Sequence, residues 1–286
     1  MTLRIVFHDV GHGQAIHAFM PSGHVVVIDL GCSADFSPLE WLKGQTKTID
    51  KLIITHPHGD HIDEILDIKK HGLNVRQLWR PKWLTAEDIY AANQIEYKEK
   101  VDAYLAMSGS YTHPIPDDEL IGNPSVTGGA KLKTFASSAC GRSNVNNHSG
   151  VAVLEYQGLK VVVPGDNEPP SWKELLKNPD FVSAASRADV FLASHHGRES
   201  GYHADLFNET VGIKKPRLCV VSDGRVQNTD ATNRYSYHAS GWVVHSRAGN
   251  GSGERLCLTT RTDGHVDVQI GKGQTDGKTF LSVTAG

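Results

Sequence analysis

Long apolar runs are missing from this 286-residue sequence. None approaches the roughly 18 continuous apolar residues that a membrane-spanning helix needs, so the sequence predicts no membrane partner. The first residues, MTLRIVFHDVGHG, alternate as in a β-strand and have neither the basic start nor the apolar stretch of a signal peptide. These absences predict a cytoplasmic protein.

An excess of charge of one sign is also missing, because the sequence has 29 basic and 32 acidic residues. This balance excludes a broad basic surface for nucleic acid and leaves any phosphate recognition to a local site. The four cysteines stand singly and form no CxxC pair, so neither a zinc ribbon nor a redox dithiol is indicated. No heptad or obvious surface patch predicts an oligomeric state.

Short apolar segments separated by turn residues recur along the chain and indicate the fold class. Most are rich in Val and Ile, which favours strands over helices. We predict strands at residues 3–8, 24–29, 51–55, 75–79, 150–156, 159–163, 189–193, 217–221, 242–246 and 255–261. Helical patterns lie among them at residues 61–72, 171–178 and 202–212. The pattern predicts a sheet-rich α/β fold whose helices cover the faces of the sheets.

The segment 85–129 departs from this rhythm. Thr85 is followed three residues later by Asp88, a helix-start signal, and a long polar helix is predicted to run through Met107. Residues 109–129, with three prolines and four glycines, follow as a loop. Because loops of this length in compact domains are usually functional or disordered, the segment is either a lid that faces substrate or a mobile surface excursion.

The stretch ITHPHGDHIDEI, residues 54–65, places three histidines and an aspartate directly after a buried apolar run. His56 and His58 are two residues apart, so in extended backbone their rings point to the same side and share one cation. Gly59 permits a sharp turn, after which Asp60 and His61 are placed to hold a second cation. Imidazoles with a hard carboxylate suit zinc, manganese or iron and do not suit calcium. A helix cap or a chance surface cluster is the alternative.

Three later fragments supply what a two-metal site still lacks. His148 lies just before a predicted strand, Asp166 just after one, and His195 with His196 after another. Residues at strand ends of an α/β sheet meet at one edge, where ligands are usually held. The sequence therefore predicts that these side chains converge on the HxHxDH loop.

These segments together resemble the metallo-β-lactamase superfamily. The matching stretches are HDVGHGQAIHAFMPSGHVVVIDLG, THPHGDH, NNHSGVAVLEY, VPGDNE, SHHG and YSYHASGWVVHS. More narrowly, they are similar to the hydrolase domain of ComEC-type competence proteins, whose DVGQGDA opening and HHG motif they parallel. The resemblance implies an αββα four-layer sandwich over residues 1–286 as one domain, with an insert at about 85–129, and a site for two divalent ions, zinc or manganese.

The resemblance also implies roles for single residues. His56 and His58 match ligands of the first metal, and Asp60 and His61 match ligands of the second. His148 matches a third histidine on the first metal, a position that ComEC-type domains often fill with Asn.

Further roles follow from the later motifs. Asp166 matches the carboxylate that bridges the two metals. One residue of the doublet is the remaining ligand of the second metal and the other faces substrate, with His196 preferred as ligand over His195. Asp29 matches a structural aspartate that positions the HxHxDH loop, and Asp9 is expected to play a similar supporting part.

The opening loop departs from the ComEC-type pattern at two positions. His12 stands where the family often has Gln, and Gln14 stands where it often has Asp. These departures affect the detailed assignment of the loop and leave the metal ligands unchanged.

A site of this kind implies metal-dependent hydrolysis, because paired divalent ions activate a hydroxide and stabilise in-line displacement at phosphorus. The expected activity is that of a phosphodiesterase or nuclease acting on a nucleotide or short nucleic acid, with Asp60 and Asp166 orienting the nucleophile. His238 is the candidate proton donor, or alternatively a polar hairpin residue. Arg198, with Ser200, contacts phosphate or is an ordinary solvated loop residue.

Two other classes of function stay open. The same metals polarise a carbonyl group, which makes a hydrolase of lactones, thioesters or β-lactams an alternative. A scaffold that works by binding alone is the third class.

Overall fold

The computed structural model describes residues 1–208, 212–224, 231–249 and 251–286. Fifteen strands, numbered in chain order, form two sheets within these ranges. The first sheet contains β1 (Thr2–Phe7), β2 (Ile16–Phe19), β3 (Val25–Ile28), β4 (Thr48–Ile53), β5 (Asn74–Trp79), β11 (Trp242–Ser246), β12 (Ser252–Arg255), β14 (Val266–Lys272) and β15 (Thr279–Ala285). Their spatial order is β12-β11-β15-β14-β1-β2-β3-β4-β5, which leaves β5 at one edge.

The second sheet is smaller. It contains β6 (Lys131–Phe135), β7 (Val151–Tyr156), β8 (Leu159–Val163), β9 (Val190–Leu192), β10 (Leu218–Val221) and β13 (Cys257–Thr259). Their spatial order is β13-β10-β9-β8-β7-β6. In both sheets, antiparallel hairpins lie next to a parallel part: β3, β4 and β5 in the first sheet, and β8, β9, β10 and β13 in the second.

Helices cover the two outer faces. In chain order they are α1 (Pro38–Lys43), α2 (Asp67–Lys70), α3 (Ala86–Ala92), α4 (Lys98–Ser110), α5 (Pro169–Leu175), α6 (Pro179–Ala185), α7 (Ala231–Ser236) and α8 (Thr260–Asp263). Short 3-10 turns occur at Gly59–His61, Ile95–Tyr97, Val145–His148, Ser194–Gly197, Glu199–Gly201 and Ala204–Phe207. Throughout the described part of the chain, every helix is too short or too polar to cross a bilayer.

Three apolar clusters show how the layers stack. One lies between the sheets and joins Ile5 of β1 to Leu154 of β7. A second packs the other face of the first sheet against α1 and α4, with Leu42 and Val101 fully buried. The third packs the second sheet against α5, α6 and α7 around Trp172. The arrangement is a four-layer αββα sandwich, so the predicted fold class is confirmed.

The helix predicted over residues 61–72 is wrong for most of its length. Only α2 (Asp67–Lys70) is α-helical, because the backbone before it bonds elsewhere. The N–H of Glu64 donates to the carbonyl of Leu30, and its carboxylate accepts the N–H of Leu39 at 3.0 Å. These tertiary bonds compete with the helical ladder, although Ile62 and Ile65 are buried as the pattern indicates.

The insert is broken where one long helix was predicted. The capping box at Thr85 and Asp88 is present and starts α3, but α3 ends at Ala92. Asn93 has extended backbone, and its side chain donates to the carbonyls of Ile89 and Pro57 at 2.9 Å each. A 3-10 turn and α4 then complete the helical part of the insert.

The rest of the insert lies against edge strand β5. Tyr111 Oη donates to the carbonyl of Val75 at 2.6 Å, and Gln77 bonds the backbone of Glu119 and Ile121 at 2.6 and 3.0 Å. These three bonds fasten the loop along the edge of the sheet.

The remaining predicted elements agree in position within a few residues, except for the helix predicted at residues 202–212. Several elements had no prediction, including β2, β6, β14 and β15. Within the segment predicted as a helix at residues 202–212, a 3-10 turn occupies Ala204–Phe207, and residues 209–211 lie outside the described residues.

Candidate metal centre

The predicted site residues lie at the ends of strands from both sheets. Residues 55–61 follow β4, and Asp166 follows β8 after a turn at Gly165, whose φ is +61°. The doublet His195 and His196 follows β9, and the turn containing His148 precedes β7. Since β4 runs parallel to β3, and β8 parallel to β9, these carboxyl ends open toward one cleft.

Four side chains form one group of donors in this cleft. His196 Nε2 lies 3.2 Å from Asp60 Oδ2 and 3.4 Å from Asp166 Oδ2. His61 Nε2 lies 3.3 Å from Asp166 Oδ1 and 3.4 Å from His196 Nε2. This group corresponds to the expected ligand set of the second metal.

A second group lies on the other side of Asp166. His56 Nε2 is 3.0 Å from His58 Nδ1 and 3.9 Å from Asp166 Oδ2. Asp166 thus contacts both groups, which is the position expected of a bridging carboxylate. His148 is fully buried; its Nδ1 is 3.1 Å from the carbonyl of Ser137, and its Nε2 has no hydrogen-bond partner among the described residues.

The donor set fits divalent metal ions. Buried imidazole nitrogens and carboxylate oxygens are the ligands of zinc, manganese and iron, and the unpartnered Nε2 of buried His148 is the state expected of a ligand nitrogen. His56, His61 and Asp166 each offer an atom within 4.8 Å of the other two, as do His12, Asp60 and His196. The chain therefore contains candidate metal-binding residues in two adjacent groups.

Electrostatics support the same interpretation. Burial opposes charge on His196, but Asp166 and Asp60 outweigh it and raise its pKa to about 10. Burial likewise opposes charge on His61, but Asp166 and Asp29 raise the pKa of this residue well above its usual value. The pKa of His56 is held well below its usual value by burial and by the neighbouring His61. The negative charge of Asp60 and Asp166 that raises the pKa values of His61 and His196 is charge that a divalent cation would compensate.

Asp29 connects the site to the strand framework. It follows β3, is fully buried and has a φ of +59°. Its Oδ1 accepts the N–H of Thr55, and its Oδ2 accepts from Thr55 Oγ1, Gln14 Nε2 and His61 Nδ1, all at 2.7 Å. The bond from His61 Nδ1 leaves Nε2 of the same ring facing Asp166, so Asp29 fixes the orientation of a candidate ligand.

Gln14 is a supporting residue whose role was not predicted. Besides its bond to Asp29, its backbone N–H donates to the carbonyl of Asp60 at 3.3 Å, and its carbonyl accepts the N–H of Gly31. Asp9, for which a supporting part was predicted, instead accepts the N–H of Gly11 at 3.3 Å and donates its own N–H to His265 at 2.9 Å. Gln14 thus connects the opening loop to the HxHxDH segment at residues 56–61, which we call the metal-binding loop.

The histidine doublet divides between two tasks. Both residues have left-handed backbone, with φ of +53° and +54°, a strained conformation for residues other than glycine that is typical of functional sites. His196 donates from Nδ1 to the carbonyl of Ser222 at 3.0 Å and turns Nε2 toward Asp60. His195 has Ser200 Oγ 2.9 Å and Glu168 Oε1 3.3 Å from Nδ1, and its Nε2 points to the cleft. This geometry favours His196 as the ligand.

Arg198 and His12 lie at the mouth of the cleft. Nη1 of Arg198 is 3.4 Å from His195 Nε2, and Nη2 is 3.4 Å from His12 Nε2. His12 Nε2 is also 3.3 Å from Asp60 Oδ2. The sequence does not predict this position of His12, because its approach to Asp60 depends on how the opening loop folds over the cleft.

His238 lies in an aromatic cluster. Its Nε2 is 2.7 Å from Tyr202 Oη, and its ring stacks on Phe207 with centroids 4.0 Å apart. The contacts of His238 among the described residues include none to the candidate metal ligands. The structure therefore does not bring this predicted proton donor to the cleft.

The insert forms one wall of the site. Trp83 Nε1 lies 2.8 Å from His148 Nδ1, and Asn93 Nδ2 donates to the carbonyl of Pro57. A Cβ at Gly59 would lie 2.3 Å from the ring of Tyr97, so the glycine allows the insert to pack directly on the metal-binding loop. No pattern in the sequence indicated these contacts.

The fold and the donor set agree with the resemblance to metallo-β-lactamases that the sequence motifs indicate. Residues 18–127 match the family model of the metallo-beta-lactamase superfamily. This match covers 110 of the 286 residues and includes His56, His58, Asp60 and His61, so the chain is similar to the superfamily over this part of its length.

Two relatives and one solved structure illustrate the similarity. The chain is 23% identical over 248 residues to ComE operon protein 3 of Bacillus subtilis, covering 80% of this chain and 28% of that protein. It is 28% identical over 154 residues to a hydroxyacylglutathione hydrolase of Photobacterium profundum, covering 51% and 55%. The chain thus spans only part of the length of each relative. The metallo-beta-lactamase fold protein YhfI from Bacillus subtilis is similar at 11% identity with a TM-score of 0.48, covering 84% of this chain and 94% of that one.

Proposed function

We propose that this chain is a two-metal phosphodiesterase that cleaves phosphodiester bonds of a nucleotide or a short nucleic acid. The observation that carries the proposal is the position of Arg198, whose guanidinium lies between His12 and His195 at the mouth of the candidate metal centre. A guanidinium beside such a centre suits a phosphate group, because its planar fork matches phosphate oxygens.

Each residue of the cleft has a part in this reaction. The two donor groups around Asp166 would hold two divalent ions, which would supply hydroxide at neutral pH and neutralise the nonbridging oxygens of the phosphate. Asp166, which contacts both donor groups, and Asp60 accept hydrogen bonds from the attacking water and orient it. Arg198 binds a phosphate oxygen, and His195, held at Nδ1 by Ser200 and Glu168, presents Nε2 to the substrate.

His195 replaces His238 as the histidine that serves the leaving group. Its ring orientation is fixed, and its Nε2 lies 3.8 Å from Asp166 Oδ2 in the cleft. Hydrogen bonding of a fixed imidazole to the leaving oxygen stabilises the charge that develops there.

A second candidate activity is hydrolysis of a carbonyl centre such as a thioester. It is favoured by the similarity to a protein named hydroxyacylglutathione hydrolase over 154 residues of this chain. Metal ions held by the same donor set would then polarise a carbonyl oxygen, and Arg198 would bind a carboxylate of the substrate.

A substrate panel decides between the two activities. The chain loaded with zinc or manganese is assayed with bis(p-nitrophenyl) phosphate, a dinucleotide, single-stranded DNA, a glutathione thioester and nitrocefin. We expect turnover of the phosphodiesters, abolished by a chelator and by Asp166→Ala. Turnover confined to the thioester or nitrocefin would establish the carbonyl activity instead, and no turnover by metal-loaded protein would contradict both.

Arg198→Ala tests the observation that carries the proposal. We expect KM for the dinucleotide to rise about tenfold or more, since a charged hydrogen bond to phosphate contributes roughly 1.5–3 kcal/mol. Lys133→Ala, at an exposed lysine in β6, is the matched control and should leave KM unchanged.

A further inference from the structure

A cavity of about 340 Å³ lies between edge strand β5 and the insert. We call it the insert pocket and define it by residues 76–78, 80 and 82 on the strand side and 110–116 with 119 on the insert side. Its volume is within the range of small-molecule sites, which are about 300–1,000 Å³. None of the candidate metal ligands lines it.

Arg80 forms the inner wall of the insert pocket and is only 7% exposed. Its Nε donates to Ser108 Oγ at 2.8 Å, and its Nη2 donates to the carbonyls of Ser108 and Tyr111. All three partners are neutral. Among the residues that the structure describes, Arg80 has no carboxylate partner and its Nη1 has no partner of any kind.

A buried guanidinium without a carboxylate is unusual, because removing a charge from water costs free energy unless an opposite charge compensates it. Arg80 also has two further cations nearby in the same wall. Arg76 and Lys82 are exposed and line the pocket. Arg76 pairs with Asp50 at 3.2 Å, and Glu119 is the acidic residue that lines the pocket. Positive charge in the lining therefore exceeds negative charge, although the whole chain carries a formal charge of −3.

The opposite wall of the insert pocket has a different character. Tyr111, Pro114, Ile115 and Pro116 present a ring and apolar surface, with His113 between them. A tyrosine ring and proline faces suit a flat heterocycle, since stacking on such surfaces is tolerant of the identity of the base. The pocket thus combines cations on one side with an apolar wall on the other.

We propose that the insert pocket is a second ligand site that binds a nucleotide-sized molecule, with its phosphate on Arg80 and Lys82 and its base against Tyr111. The phosphate supplies the negative charge that Arg80 lacks and accepts from its free Nη1. Binding here needs no metal and no turnover, so the proposal stands apart from the proposed phosphodiesterase activity.

Calorimetric titration of the metal-free full chain with AMP, in the presence of a chelator, tests the proposal. We expect saturable binding at one site, and binding at least about tenfold weaker for adenosine, which lacks the phosphate, and for inorganic phosphate, which lacks the base. Adenosine or inorganic phosphate binding as tightly as AMP would overturn the proposal, as would the lack of saturation by AMP at millimolar concentrations.

Charge reversal locates the site. Lys82→Glu should weaken AMP binding by about tenfold or more, whereas Lys133→Glu, an equal change of charge in β6, should leave it unchanged. Arg76→Glu is the second variant. Arg80 also anchors the insert, so Arg80→Gln is measured only if circular dichroism shows that this variant keeps the native fold. Unchanged AMP affinity in both Lys82→Glu and Arg76→Glu would overturn the proposal.

Discussion

Replacing Asp29 with asparagine tests how the site is held together. Asparagine has the same shape and tolerates the left-handed backbone, with φ of +59°, that Asp29 adopts. It keeps one oxygen for the N–H of Thr55 but puts an NH₂ group where Oδ2 accepts from Gln14, Thr55 and His61. The NH₂ group would then face the donors of Gln14 and His61, and His61 would lose the acceptor that fixes the orientation of its ring.

The size of the effect follows from these contacts. Loss of a carboxylate that orients a ligand histidine typically lowers metal affinity by about 10- to 100-fold, or about 1.4–2.8 kcal/mol. Removing one partner of the buried Asp29–His61 pair is expected to lower the free energy of unfolding by about 3–5 kcal/mol as well. Because His56 and His58 do not bond to Asp29, we expect the weakening to fall mainly on one of two metal-binding steps.

Competition with a chromophoric chelator, on protein shown by circular dichroism to be folded, measures both affinities. Asp267→Asn is the control, since Asp267 is also buried and pairs with Arg4 at 2.7 Å in β1, away from the cleft. Wild-type zinc affinity at both steps in folded Asp29→Asn would refute the orienting role of Asp29. Equal weakening by Asp267→Asn would show that the loss reflects general destabilisation.

Further predictions concern stability and the division of tasks in the site. Burial lowers the pKa of Lys51 to about 8 from an ordinary 10.5, so the free energy of unfolding should rise as pH increases from about 8 to 10.5. Lys51→Met should lack this rise, and at pH 7 its free energy of unfolding should exceed that of the wild type by at most about 3 kcal/mol. A denaturation midpoint below that of the wild type would contradict this prediction. Gly59→Ala should lower the free energy of unfolding, measured by chemical denaturation, by about 1–3 kcal/mol because the added Cβ clashes with Tyr97. The decrease should be smaller in the Tyr97→Ala background, and an equal decrease in both backgrounds would disprove the clash. His196→Ala should lose one bound ion in elemental analysis while His195→Ala keeps its metal and loses turnover; the reverse pattern would exchange their roles.

The metal-binding loop could be predicted because its chemistry is contiguous in sequence. His56, His58, Asp60 and His61 lie within six residues, and their geometry depends mainly on one strand end and one turn. The distant Asp166 could be added because strand ends gather at one edge of a sheet.

The supporting contacts could not be predicted, because they depend on how loops approach one another in three dimensions. Gln14 reaches Asp29 only after the opening loop crosses the strand ends, and Tyr97 meets Gly59 only because the insert folds back. The surroundings of His238 could not be predicted for the same reason, since its neighbours Tyr202 and Phe207 come from a distant segment. Helix predictions failed where a side chain bonded backbone outside its own turn, as Asn93 does.

The central claim is that residues from four separate segments hold a pair of divalent ions. Elemental analysis after equilibrium dialysis of the purified chain against zinc or manganese, with Asp166→Ala treated in parallel, measures this directly. We expect two ions per wild-type chain and a clear loss in the variant. A wild-type chain that retains no ion, or a variant that retains as many as the wild type, would contradict the claim.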